Sequence, residues 1–316
     1  MQTTVLDAAD ARAIAQAVAV LRSGEVVALP TETVYGLAGD ALNPLAVARI
    51  FEAKNRPHFD PLIVHVADFA MLETVAIADD PLVARLAEKY WPGPLTILLP
   101  KRAIISDLVT AGSPFVAVRM PAHPVFRAVL QSYGSPIAAP SANPFGQISP
   151  TEARHVLDGL GGRIPLLLDS GNCQHGLEST IVYPENGTLH ILRDGPIPME
   201  ELAAFGPIQH QRNAAAPGQI ASHYAPRKPL ILVDSAADVQ DATGNGFLGF
   251  QSSSIGFSAS EVLSPSGNLV EAAANLFAAL HRLDAAPIQT IYAEIIPELG
   301  LGRAIMDRLK RASAKR

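Results

Sequence analysis

Apolar residues in this chain fall into two kinds of run: short, nearly unbroken stretches, and longer ones in which they recur every three or four positions. The first kind predicts buried strands and the second amphipathic helices. Strands are predicted at EVVALP (25–30), Leu62–Val66, Leu95–Leu99, Phe115–Arg119, PIAA before Pro140, IPLLLD, STIVY and LHILR. Helices are predicted over Ala8–Leu21, Leu45–Lys54, Asp68 to Val75, Pro81–Tyr90, Pro124–Ser132 and from Ser149 to Leu160. Their ends carry physical signals. Asn43 with Pro44 and Asp80 with Pro81 pair an N-cap with a proline in the first turn, Ser149, Pro150 and Glu152 form a capping-box pattern, and WPGP (91–94) is a stop. Such alternation predicts an α/β fold with a twisted mixed sheet. Gly206–Pro226 is rich in Ala, Gln, Pro and Gly and has no period, so it reads as a linker. Beyond it PLILVD, GFLGF, a helix at Leu269–Leu283, a strand at Ile288–Ala293 and a helix at Gly302–Ala312 predict a smaller, Rossmann-like α/β domain. The expected division is a domain over 1–205, a linker over 206–228 and a second domain over 229–316.

The stretch Glu25–Pro57 reads as a strand, a glycine-bearing turn and a helix ending in KNRP. Thr31, Glu32, Thr33 and Tyr35 follow the strand end, where loops on a rigid sheet carry binding groups, and Gly36 allows a tight turn or close ligand approach. Lys54 and Arg56 sit at a helix C-terminus, which favours cations whatever else they do. Arg119 ends an apolar strand, so it either faces solvent or meets a fixed anionic partner. Ser141 and Asn143 in PSAN suit either a polar turn or a grip on phosphate oxygens. Ser149 is expected to cap its helix and can still border an anion there. An Asn186–Gly187 hairpin turn places Ser179 near Arg193. Taken alone, Lys54, Arg56, Arg119 and Arg193 could converge on an anionic ligand such as a nucleotide.

Composition narrows the classes. The 316 residues are 48% hydrophobic and 17% charged, enough for two cores and against disorder. A net charge of −6 argues against a surface that is wholly a nucleic-acid footprint. One cysteine, Cys173, excludes an internal disulfide and multi-cysteine zinc sites, in keeping with a reducing cytoplasm. The N-terminus lacks a secretory pattern, and no apolar run has the length of a membrane span. Gly244, Gly246 and Gly249 spell GxGxxG, but ahead of an apolar strand-like run and not between a strand and a helix, so they are a false dinucleotide fingerprint. HExxH, GxSxG and a Walker-type loop are missing.

PTETVYGLAGDA, KNRP with PLIVH, PSAN and LESTIV resemble, in order and spacing, the YrdC-like threonylcarbamoyl-adenylate synthases, from about Ala11 to Pro198. The continuation through APGQIASHYAP is similar to the long form of that family. The resemblance implies an enzyme, a nucleotidyltransferase, that joins L-threonine, bicarbonate and ATP into threonylcarbamoyl-AMP and pyrophosphate, with Mg²⁺ arriving on ATP. A transferase partner would then modify the adenosine beside the anticodon of transfer RNA. By the same resemblance Thr33, His65, Arg119, Ala139 and Ser179 would contact threonine. Lys54, Arg56, Asp60, Phe115, Ser141, Asn143, Ser149, Arg193 and the linker's Tyr224 would line the nucleotide side, Tyr224 closing as a lid that the C-terminal domain orders. Four positions depart from the family's common pattern: Asp60 for Asn, Phe115 for Thr, Tyr183 for an acid and Asp194 for Pro. Two rival readings are a non-catalytic RNA-binding module and a carbamoyl-transfer domain of hydrogenase maturation, the latter disfavoured by the single cysteine.

Overall fold

A computed structural model describes residues 1–210 and 223–314. The first part of the chain runs β1 (Thr4–Asp7), α1 (Ala13–Arg22), β2 (Val27–Leu29), β3 (Gly36–Asp40), α2 (Pro44–Lys54), β4 (Ile63–His65), α3 (Phe69–Val75) and α4 (Pro81–Tyr90). It continues with β5 (Leu95–Pro100), α5 (Asp107–Thr110), β6 (Phe115–Arg119), α6 (Pro124–Tyr133), β7 (Ile137–Ala138), α7 (Ala153–Leu160), β8 (Leu166–Asp169), β9 (Thr180–Glu185), β10 (Thr188–Arg193), α8 (Met199–Leu202) and β11 (Ile208–His210). After the linker come β12 (Leu230–Val233), β13 (Gly246–Gly249), β14 (Ala259–Val262), α9 (Leu269–Ala285), β15 (Ile291–Glu294) and α10 (Leu301–Ser313).

Among the described residues eleven strands form one mixed sheet, ordered β1-β8-β2-β3-β7-β4-β6-β5-β9-β10-β11, and four form a parallel sheet, β12-β15-β13-β14. Apolar side chains on both faces of the large sheet hold it, Leu37, Val64, Ile97 and Val118 packing on one side and Leu29, Ala38, Phe126 and Ile137 on the other. The α/β class and mixed sheet match the expectation. Asn43 caps α2 by accepting from the Leu45 amide, and Asp80 caps α4 the same way through Leu82. The hairpin of β9 and β10 turns at Asn186–Gly187, both with positive φ. Gly244, Gly246 and Gly249 lead into and through β13 and open no helix, as expected of a false fingerprint.

Two expectations are corrected. Gly36–Asp40 is not part of a strand-to-helix turn: it is β3, antiparallel to β2 with Val27 opposite Ala38 and paired on its other side with β7. Its sequence, GLAGD, has no β-branched residue, so strand propensity is absent and tertiary pairing decides. Ser149 does not cap α7, which begins four residues further on without a side-chain cap, because its hydroxyl is spent on buried Glu178. The linker expected over 206–228 falls largely on residues 211–222, which lie outside the described residues.

The C-terminal sheet and helices share one apolar cluster with the first part of the chain: Val34, Ile148, Leu177 and Tyr224 pack with Leu276, Phe277 and Leu280 of α9 and Ile305 of α10. Gly176 (φ 66°) lies against the carbonyls of Ala273 and Ala274, leaving no space for a Cβ. His155 and His281 stack across the same contact with ring centroids 3.7 Å apart.

Candidate active site

The β2–β3 turn is built by Thr31, whose oxygen accepts from the amides of Thr33 and Val34 and whose proton goes to the Val34 carbonyl at 2.6 Å. That fixes Thr33 over the ends of β4 and β6, where parallel pairing sets His65 beside Arg119. Arg119 is buried, so each of its donors needs an acceptor. Nε donates to Gly93 O at 3.2 Å, Nη1 to Thr33 Oγ1 at 2.9 Å and Nη2 to Glu32 Oε1 at 2.5 Å. Burial opposes charge on Glu32, yet the guanidinium beside it holds its carboxyl below the usual range. Glu32 Oε2 is buried and has no hydrogen-bond partner among the described residues. Burial, then the charge of Arg119, pushes His65 down to about 3, so its imidazole is neutral at any ordinary pH.

A second set of cations comes from the turn after α2 and from β10. Arg56 donates to Asp60 O at 3.1 Å and Pro61 O at 2.8 Å and pairs with the Asp60 carboxylate at 2.9 Å. Arg193 donates through Nε to Ser179 O and through Nη2 to Ser179 Oγ, each at 3.0 Å, and Ser179 Oγ also meets Thr96 Oγ1 at 2.7 Å. One serine therefore ties Arg193 on β10 to Thr96 on β5. Tyr224 (φ 64°) holds an unfavourable left-handed backbone for its residue type and is 1% exposed.

These groups line a single pocket, which brings together Thr33, His65, Arg119, Ala139 and Ser179 with Arg56, Ser141, Arg193 and Tyr224. The structure places five expected nucleotide residues elsewhere or behind the wall. Lys54 is fully buried, and its Nζ donates to the main-chain oxygens of Ser141 at 2.5 Å and Asn143 at 2.6 Å. Burial, then the charge of Arg56, drives its pKa well below that of an ordinary lysine. Asp60 is the buried counter-charge of Arg56. Phe115 packs edge-on to Tyr183 with centroids 5.3 Å apart. Asn143 lines a separate cleft between α7 and α9, and Ser149 is enclosed against Glu178. Glu178 and His223 line the pocket although sequence patterns did not single them out as ligands. For Glu178 the signal was its place immediately before Ser179 in LEST; for His223, its place beside Tyr224 in a segment of small residues.

Comparison with known proteins decides the family. The profile of the Sua5_yciO_yrdC family, described as telomere recombination, matches residues 19–195, and that described as threonylcarbamoyl-AMP synthase, C-terminal domain, matches 197–314. The chain belongs to the Sua5/YrdC family. Within this family it is similar to the threonylcarbamoyl-AMP synthase of Pyrococcus abyssi, 39% identical over 94% of this chain and 92% of that one. It is similar also to the threonylcarbamoyl-AMP synthase of Bacillus subtilis, 40% identical over 96% of this chain and 93% of that one. The crystal structure of P. abyssi Sua5 complexed with L-threonine is alike at a TM-score of 0.88 and 38% identity, covering 95% of this chain and 94% of that one. The crystal structure of E. coli YciO, 23% identical, is alike in fold at a TM-score of 0.53, covering 61% of this chain and 94% of that one.

Proposed function

We propose that this Sua5/YrdC protein is an L-threonylcarbamoyladenylate synthase, a nucleotidyltransferase that converts L-threonine, bicarbonate and ATP into threonylcarbamoyl-AMP, pyrophosphate and water. The observation that carries the reading is Ser179: its hydroxyl and carbonyl both bond Arg193, so a threonine half-site and a nucleotide half-site share one wall. Threonine's carboxylate pairs with Arg119, its side chain sits near Thr33 and Ser179, and Ala139 contributes main chain. Neutral His65 adds no second positive charge there and can accept a hydrogen bond from the amine. On the other side Arg56 and Arg193, with Ser141, face the phosphates and ribose, and Tyr224 covers them. Lys54, Asp60, Asn143 and Ser149 act on this side by fixing Arg56, the 141–143 loop and Glu178.

The chemistry needs position and charge compensation more than a covalent nucleophile. Threonine's amine attacks bicarbonate carbon and water leaves; the resulting carbamate oxygen attacks the α-phosphorus and pyrophosphate leaves. Holding the reactants in line with preset donors supplies the acceleration. A protein-built Mg²⁺ cage does not fit the residues present. Glu178, which lines the pocket, is paired to Arg308, buried Glu32 is paired to Arg119, and among the described residues no three His, Cys, Asp or Glu side chains converge. Mg²⁺ would therefore be carried by ATP. The mixed anhydride is reactive towards water, so it suits direct hand-over to a threonylcarbamoyl transferase acting on transfer RNA. No described helix is long and apolar enough to cross a membrane; the cytoplasm, where ATP and transfer RNA meet, is the proposed place of work.

The test is mass spectrometry of a reaction containing isotopically labelled bicarbonate. A nucleotide product heavier by the label, formed only with threonine, supports the reading; AMP alone, unlabelled, rejects it.

A further inference from the structure

The C-terminal domain makes no direct contribution to the reacting groups named above, yet one of its side chains is buried against them. Arg308 lies on the face of α10 that carries Ile305, Leu309 and Ala312 into the apolar core. It is 0% exposed, which for an unpaired guanidinium would cost more than the helix could return. Its Nε donates to Glu178 Oε2 at 3.0 Å, and Nη1 reaches Asp307 Oδ2 at 3.1 Å. The guanidinium carbon stands 5.2 Å from the centroid of the Tyr224 ring, a cation–π distance. Glu178's other oxygen accepts from Ser149, so the carboxylate is gripped from two directions immediately before Ser179 in the chain.

The same helix and the loop at Gly146 hold the backbone of this segment. His223 N donates to Arg311 O at 3.4 Å, and Ala225 N donates to Gly146 O at 2.9 Å, pinning Tyr224 from both neighbours. Phe277 of α9 supports the Tyr224 ring with centroids 5.6 Å apart. A non-glycine residue at positive φ persists only where its surroundings over-determine it, and here Arg308, Arg311 and Phe277 of the C-terminal domain supply that constraint together with Gly146 of the first domain. The close approach of Gly176 to α9 fixes the loop that leads into Glu178.

We propose that Arg308 is a positioning residue for the nucleotide half-site: from the C-terminal domain it holds Glu178 and Tyr224 together, so that the pocket presents Tyr224 to ATP in one conformation. The inference rests on the functional reading above. It also gives the C-terminal domain a residue-level task. Arg308 reaches no reacting atom, so its loss falls on ATP recognition and leaves the chemistry of bound ATP in place.

The experiment uses the full chain. Pyrophosphate release is measured against ATP concentration for wild type, Arg308→Met, Arg308→Lys, Glu178→Gln and the Arg308→Met/Glu178→Gln pair, with thermal unfolding of each. Threonine binding without ATP is measured by calorimetry. Arg308→Met is expected to raise the KM for ATP about tenfold, a loss on the scale of one charge-assisted hydrogen bond and a cation–π contact, with the change in KM and not in kcat. Glu178→Gln, nearly the same size and shape, is expected to reproduce it, the pair to be no worse than either alone, and Arg308→Lys to recover part of it. Threonine affinity without ATP should move less than twofold, which global loosening would not allow. Should Arg308→Met fail to fold, the Glu178→Gln and Arg308→Lys profiles carry the same test. Folded variants with unchanged KM for ATP, or equal losses for both ligands, overturn the inference. A wild type that releases no pyrophosphate and binds no ATP removes the functional reading itself, whatever the variants do.

Discussion

Lys54 Nζ lies 2.5 Å from the main-chain oxygen of Ser141, and the same nitrogen reaches Asn143 O at 2.6 Å. A lysine from the end of α2 thus organises the loop bearing two expected ligand residues, and does so from beneath it. Removing it in Lys54→Ala strands two buried carbonyls, so the expected cost is about 2–4 kcal/mol of stability, read from urea unfolding. Because Ala139 and Ser141 adjoin this loop, affinity for both ATP and threonine should fall; loss of ATP affinity alone, with stability intact, would show that Lys54 touches phosphate directly.

Arg119 forks onto Glu32 and Thr33 from one strand end. Lysine keeps the charge but not the fork, so Arg119→Lys should raise the KM for threonine on the order of 10- to 100-fold and that for ATP much less. Initial-rate measurements with each substrate varied in turn check this. A larger effect on ATP would move the threonine carboxylate to another cation.

Arg193 donates to both oxygens of Ser179, and on the proposed reading this pair would bridge the two half-sites. Ser179→Ala and Arg193→Gln are therefore expected to be non-additive, with a coupling of about 1 kcal/mol in a double-mutant cycle on kcat/KM. Additive effects would mean that the half-sites are independent.

Buried neutral histidines make stability depend on pH. His65 and His155 are each pushed down to about 3, burial being the first cause for both, with Arg119 next for His65 and His281 next for His155. Unfolding raises them to the ordinary value of about 6.5, so between those limits the unfolded chain binds more protons than the folded one. Stability is then greatest above about pH 6.5 and falls as pH drops towards 3, by up to about 1.4 kcal/mol per pH unit for each histidine. Glu32 acts in the same direction at lower pH: its folded pKa is depressed, so its contribution is present above the unfolded carboxyl value and lost as pH falls through the folded one. His155→Gln, remote from the pocket's lining, should flatten the curve in urea titrations between pH 7 and about 4; an unchanged slope would contradict a neutral His155.

How far the sequence spoke follows from where each signal lives. Helices α2 and α4 were legible because their caps are local: Asn43 and Asp80 meet amides two residues on. Strand β3 was not, since nothing in GLAGD encodes its pairing with Val27–Leu29 and Ile137–Ala138. In the pocket, Thr33, His65, Arg119, Ser179 and Arg193 were legible through a family resemblance and the Asn186–Gly187 hairpin. Lys54 and Ser149 looked like ligands because only the folded chain shows their polar atoms already taken, by carbonyls 87 and 89 residues away and by a carboxylate 29 residues away. Arg308 was silent for the same reason. An arginine in a helix becomes informative only once burial and a partner 130 residues distant are known.

Pyrophosphate release by the purified chain, with ATP and Mg²⁺ and with threonine and bicarbonate each present or omitted, decides whether this protein makes threonylcarbamoyl-AMP. A synthase releases pyrophosphate only when threonine and bicarbonate are both present. Release independent of both, or none under any condition while both ligands bind, would contradict it.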